Sequence, residues 1–115
     1  MGLDTSHDCW HGSYVLFRVW RTDIARALNI DLDKMEGHTK EDVEPILWSS
    51  IPSHPVIALL HHSDCDGSIP WRKCRAIADG LESLILLGIP GRARTEQFIR
   101  GLRLAYVLKQ NVTFG

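Results

Sequence analysis

Two short runs hold most of the side chains able to do chemistry: His7-Asp8-Cys9-Trp10-His11-Gly12 near the start and His62-Ser63-Asp64-Cys65-Asp66-Gly67-Ser68-Ile69 at the centre. In the first run, an extended backbone would put His7, Cys9 and His11 on one side and Asp8 and Trp10 on the other. Such a row of imidazole and thiol donors suits zinc, with His61, His62 or Cys65 completing four ligands. The same groups also suit metal-free chemistry. Cys9 or Cys65 as nucleophile, His62 or His7 as base and Asp8 or Asp64 as orienting group meets the nucleophile–base–orienter requirement. Without a covalent step, a neutral histidine takes a proton from water or a ribose hydroxyl while a protonated one assists the leaving group. The candidate catalytic residues are therefore His7, Asp8, Cys9, His11, His62 and Asp64. The competing reading is structural, with Asp8 and the histidines fixing a loop by hydrogen bonds and Trp10 packed into the core.

The central run has two further readings. Asp64-Cys65-Asp66-Gly67 is locally similar to the first metal motif of DHH-type phosphoesterases, where paired aspartates bind a divalent ion that activates water. A chain of 115 residues is too short for that whole fold. The run is also similar to an EF-hand loop starting at His62, with Asp64, Asp66, Gly67 and Ile69 in its third, fifth, sixth and eighth places. His62 in the first place and Lys73 in the twelfth, where calcium needs carboxylates, count against that ion. A Lys73 ammonium beside the two aspartates would instead make a metal-free turn. Metal candidates across both runs are His7, Cys9, His11, His62, Asp64 and Asp66, for zinc or for a harder ion such as Mn²⁺ or Mg²⁺.

The elements that must position these groups are legible in part. Residues 3–11 read as a short extended segment or loop. Ser13 then caps a helix whose apolar series is Tyr14, Phe17, Trp20 or Arg21, Ile24 and Leu28, and which Asn29 stops. Residues 30–54 are interrupted by Gly37, Pro45 and Pro52 and hold one short helix around Lys40 to Trp48. The unbroken apolar run Val56 to Leu60 fits a buried strand. Ser68 caps the next helix, with Pro70 in its first turn. Cys74, Ile77, Ala78, Leu81, Leu84 and Ile85 share its inner stripe, and Gly88 with Pro90 ends it. Cys74 belongs to that stripe as a small core residue. A third helix from about Thr95 to Leu108 has Phe98, Ile99, Leu102, Ala105 and Tyr106 on its apolar side before Asn111 stops it. Val112-Thr113-Phe114 is a terminal strand that would pair with Val56 to Leu60. The expected fold is α+β, three main helices packed on a small sheet in a single compact domain spanning 1–115.

Composition bounds the function. No apolar run approaches the ~20 residues of a membrane span, and the first residues lack the basic and apolar regions of a targeting segment. Three cysteines suit a reducing compartment better than a disulfide scaffold, so the chain is expected in the cytoplasm. The net charge of −1 hides an asymmetry: residues 1–66 hold five Lys/Arg against eleven Asp/Glu, and residues 67–115 eight against three. That near-neutral total disfavours a duplex-DNA binder. A smaller anion could still meet a few of Arg72, Lys73, Arg75, Arg92, Arg94, Arg100 and Arg103, which otherwise form solvated helix faces. An exposed Trp48 or Trp71 would supply a surface for a homo-oligomer.

Gly2-Leu3-Asp4 with His7-Asp8-Cys9-Trp10-His11-Gly12, the His62 to Gly67 turn, and Gln97-Phe98-Ile99-Arg100-Gly101 resemble a family of small proteins encoded by phages and bacteria. Residues 30–54 match that family poorly, and its members often carry an acid where Lys73 stands here. The resemblance implies a viral setting, in which proteins of this size disarm bacterial immunity by binding or cleaving nucleotide second messengers. The expected function is accordingly binding and hydrolysis of a small phosphorylated, nucleotide-like ligand. Trp10 or Trp71 would stack on its base and Arg72 or Arg75 would meet its phosphate, with Asp4, Ser63, Cys65 and Asp66 as further contacts. The alternatives are sequestration of such a ligand without turnover, a structural or zinc-stabilised interaction module, and, least favoured by charge, a nucleic-acid adaptor.

Overall fold

The structure is a computed structural model that describes residues 2–40, 42–61 and 67–114. His62, Ser63, Asp64, Cys65 and Asp66 lie outside the described residues, and with them the DHH-like and EF-hand readings of the central run.

The chain opens with a tight antiparallel hairpin. Strand β1 (Gly2–Asp4) pairs with β2 (His11–Ser13) in the register Gly2 with Ser13, Leu3 with Gly12 and Asp4 with His11, and a 3-10 turn over Ser6–Asp8 connects them. Helix α1 (Tyr14–Ala27) follows at once. Its cap is Ser13, whose hydroxyl accepts the Leu16 N–H at 3.1 Å, as its sequence position indicates. Phe17, Trp20, Arg21, Ile24 and Ala25 form the buried face, and Asn29, at φ +59, turns the chain away.

Residues 30–54 contain no α-helix among those described, so the expected helix around Lys40 to Trp48 is corrected. Backbone bonds from Ile46 to Lys34 (2.8 Å) and from Glu36 to Ile46 (2.9 Å) form a parallel bridge instead. Pro45, which cannot donate within a helix, precedes this bridge. Trp48 donates its backbone N–H to the Glu36 carboxylate and its indole N–H to the Glu36 carbonyl, which buries the ring. It therefore offers no exposed surface for self-association, and Trp71 is half-buried.

Val56 to Leu60 is not a strand. The chain forms a one-turn helix, α2 (Ile57–Leu60), closed by bonds from Leu60 to Val56 and from His61 to Ile57. Val56, Leu59 and Leu60 are fully buried while Ile57 and Ala58 are half-buried, which is helical spacing. A five-residue apolar run carries no period of its own, so contacts in the core decide its state.

The partner of the terminal strand is corrected too. Strand β3 (Ser68–Ile69) pairs antiparallel with β4 (Val112–Thr113), Ser68 opposite Thr113 and Ile69 opposite Val112. Ser68 is therefore a strand residue and not a cap. Helix α3 (Trp71–Leu86) starts after Pro70, and the Trp71 N–H is received at 3.0 Å by the side-chain oxygen of Asn111, the residue expected only to stop the last helix. The inner stripe of α3 is as read from the sequence, except that Ile85 is only half-buried, and Gly88 takes φ +81 at its end. Helix α4 (Arg92–Leu108) begins three residues before the expected Thr95. Lys109 in the left-handed region ends it, and Gln110 then bonds the Ala105 carbonyl. The fold is α+β, with three long helices and two separate two-stranded ribbons around one core among the described residues. No helix is long and apolar enough to cross a membrane among the described residues.

Candidate functional site

The site grows from the six residues that connect β1 to β2. Thr5 closes the loop twice, since its N–H reaches the Trp10 carbonyl at 3.0 Å and its hydroxyl receives the Trp10 N–H at 2.9 Å. Closure this tight forces His7 to φ 60 and Asp8 to φ 55, two consecutive left-handed residues that are not glycine. The first run is therefore not extended, and the row of His7, Cys9 and His11 does not form. Each side chain goes its own way.

Cys9 turns inward. It is 1% exposed, and burial pushes its thiol up to about 12. A thiol held protonated in the core is neither a nucleophile nor a metal donor at neutral pH. Cys74 is likewise buried, with burial pushing its thiol up to about 11.

His11 turns outward. Cross-strand pairing sets Asp4 beside it, with Oδ1 2.9 Å from Nδ1, and the left-handed turn brings Asp8 Oδ1 to 2.7 Å from Nε2. Hydrogen bonds to Asp4 first and Asp8 second hold the imidazole above its ordinary range, which favours the imidazolium. The two carboxylates grip opposite edges of one ring and do not converge on a common point. Among the described residues, no three His, Cys, Asp or Glu side chains are arranged to hold a metal ion. The zinc set expected from His7, Cys9 and His11 is thus not assembled.

His7 points toward the other end of the chain. Its Nδ1 is 2.7 Å from Ser6 Oγ and its Nε2 is 2.9 Å from Gln110 Oε1, 103 residues away in sequence. Ser6 Oγ also receives the Thr113 N–H at 2.9 Å, and Gln97 on α4 donates to the Asp8 carbonyl at 2.9 Å. These bonds lash the turn to α4 and β4.

Trp10 is 3% exposed, packed edge-on to Phe17 at 5.0 Å and tilted on Trp20 at 5.4 Å. It is not free to stack on a base. The Arg94 guanidinium sits 5.3 Å from the centre of its ring, and its indole Nε1 is buried with no hydrogen-bond partner among the described residues. That nitrogen adjoins Gly12, where a Cβ would lie 3.4 Å from it.

Two recesses flank the turn and share Gln97. One, of about 170 Å³, is lined by Trp10, His11, Gly12, Leu16 and Arg94 together with Cys9. The other, of about 410 Å³, is lined by His7, Asp8, Arg100, Gly101 and Leu104. Arg94 and Arg100 are exposed, and neither pairs with a carboxylate among the described residues.

The remaining sequence candidates lie elsewhere. Trp71 packs against Tyr106 at 5.7 Å, with Arg72 5.4 Å from its ring centre, and Arg75 is exposed; none of the three lines either recess. His61, exposed, stacks on Trp48 at 5.2 Å. Sequence reasoning gave no role to Ser6, Gln97 or Gln110. Gln97 enters the sequence reading only within the Gln97 to Gly101 segment of an expected resemblance, and nothing in the sequence marks Gln110. Comparison with family models, with curated proteins and with solved structures finds no match to this chain.

Proposed function

We propose that the chain binds a small phosphorylated, nucleotide-like ligand across the two recesses beside the Ser6–Asp8 turn and hydrolyses a phosphoester bond there. The observation that carries this reading is Arg94, whose exposed guanidinium pairs with no carboxylate among the described residues and which lines the smaller recess together with Trp10 and His11. A phosphoryl group, rich in acceptor oxygens, would give that guanidinium a charge-assisted partner. A recess of about 170 Å³ suits a phosphoryl group better than a whole nucleotide, so the rest of the ligand extends past Gln97 into the larger recess, toward Arg100. His11, kept protonated by Asp4 and Asp8, is the proton donor to the leaving oxygen. The resemblance of the His7 to Gly12 motif to small phage proteins supports a signalling nucleotide of bacterial immunity as the ligand, met in the bacterial cytoplasm.

Sequestration without turnover is a second reading, favoured by one observation. Both ring nitrogens of His11 already bond carboxylates, so donating a proton requires Asp4 or Asp8 to release the ring. Titrating the protein with a cyclic dinucleotide while following its ³¹P spectrum separates the two readings. Saturable binding that Arg94→Ala weakens roughly tenfold is expected, from the loss of one charge-assisted contact. New phosphorus signals that are absent in His11→Asn indicate hydrolysis, and binding without them indicates sequestration. If neither mononucleotides nor cyclic dinucleotides bind, the reading fails.

A further inference from the structure

The turn that carries His7 also arranges a nucleophile. Gln110 Oε1 can only accept, so His7 Nε2, 2.9 Å away, carries the ring proton and donates it. Nδ1 is then the acceptor for the Ser6 hydroxyl at 2.7 Å. On its other side Ser6 Oγ receives the Thr113 N–H at 2.9 Å, which leaves the hydroxyl proton directed at the imidazole. A hydroxyl on an imidazole whose far nitrogen is held by an amide carbonyl is a nucleophile–base–orienter set, with the amide in third place as in Cys–His–Asn hydrolases.

Two further observations separate this set from an ordinary polar turn. His7 and Asp8 both occupy the left-handed region, a conformation that is strained for non-glycine residues and gathers at functional sites. Ser6 is half-buried next to His7, which lines a recess that the exposed Arg100, without a carboxylate partner among the described residues, also lines.

We infer that Ser6 is a nucleophile for phosphoryl transfer from a phosphate ester, with His7 its general base and Gln110 the residue that positions His7. The Ser6 Oγ–P bond forms as the P–O bond to the leaving alcohol breaks. The Ser6 proton passes to His7 Nδ1 and on to solvent, while the His11 imidazolium protonates the leaving oxygen. Water, deprotonated by His7, then displaces Ser6 from phosphorus and returns the chain to its starting state. The inference rests on the proposed function for its substrate class and its acid.

Diisopropyl fluorophosphate tests it without any nucleotide, because attack on this probe releases fluoride and leaves a stable adduct. The native protein is expected to gain one adduct, mapped to Ser6, while the urea-denatured chain shows no preference for that serine. His7→Asn, with a residue that tolerates the left-handed backbone, should slow labelling about a hundredfold, the range of a general base. Gln110→Ala should slow it less, and Gln110→Glu, which keeps an acceptor, should restore it. No adduct, an adduct spread over several serines, or wild-type labelling in His7→Asn overturns the inference. A chain that labels at Ser6 but binds no cyclic dinucleotide sinks the proposed ligand and keeps the nucleophile. One that hydrolyses the nucleotide yet never labels does the reverse.

Discussion

At the N-terminal hairpin His11 stands in solvent between Asp4 and Asp8, whereas His38, in the irregular segment after α1, is half-buried beneath Trp48. Arg18 donates to His38 Nδ1, and His38 Nε2 donates to the Leu60 carbonyl at 3.1 Å. Burial first, then the Arg18 and Arg21 charges, push this imidazole down to about 4. The two carboxylates hold the other above its ordinary range. One residue type is thus tuned to opposite charge states by what surrounds it. The difference separates a group that can give a proton at neutral pH from one that serves as an uncharged strut between α1, the irregular segment and α2.

The hairpin site depends on a close approach that the His38 region lacks, and glycine substitutions expose the contrast. At Gly101 on α4, an added Cβ would overlap Cys9 Sγ and lie 2.8 Å from the His7 carbonyl oxygen. The crowded atoms are core and backbone, so nothing yields cheaply. Gly101→Ala is expected to cost about 3 kcal/mol by urea denaturation and to abolish Ser6 labelling, since the turn must leave α4. Gly37, one residue before His38, has nothing within 4 Å of its missing Cβ but sits at φ +85. Gly37→Ala therefore carries only the backbone penalty, about 1 kcal/mol, and leaves labelling intact. Equal effects at the two glycines would remove the distinction between the regions.

The next effect in size is the pH dependence of His38. Below the ordinary histidine value of 6.5 the unfolded chain takes up a proton that the folded one refuses until about pH 4. Stability is lost as pH falls through that window, by about 2 kcal/mol once partial exposure is allowed for. Urea denaturation of wild type and His38→Gln should show the gap between them narrowing from pH 7 to pH 4. A constant gap would mean that the fold does not hold the His38 imidazole below its ordinary value.

Much of this architecture was legible because it is local. Ser13 as a cap, the Phe17, Trp20 and Ile24 stripe of α1, and the Cys74 to Leu84 stripe of α3 follow from spacing alone, and α4 differs only in where it starts. Val56 to Leu60 was not legible, since an apolar run shorter than two helical turns fits a strand equally well. At the site, sequence reasoning singled out His7, Asp8 and His11 but arranged them on an extended strand. Two consecutive non-glycine residues at positive φ are set by Thr5 closing the loop and by Gln97 and Gly101 arriving from α4, contacts about 90 residues apart. Ser6 was passed over for a related reason. A serine next to a histidine means little until Gln110 and Thr113 give each a partner.

The smallest expected effect is also the most direct test of the opposition between the two histidines. His11 gains its Asp4 and Asp8 bonds only in the fold, so its folded pKa lies above 6.5. The stabilisation this brings is fully present below 6.5 and is lost as pH rises through the folded value, the opposite sense to His38. Its size is small because the ring is exposed to solvent, so the titration is better read by NMR than by unfolding. The His11 ring protons should titrate with a midpoint above 6.5. Asp4→Asn should lower that midpoint, Asp8→Asn should lower it less, and the double variant should bring it back to the ordinary value. Should the midpoint stay put in all three, the carboxylates do not control the His11 proton, and its role as the acid of the proposed reaction goes with them.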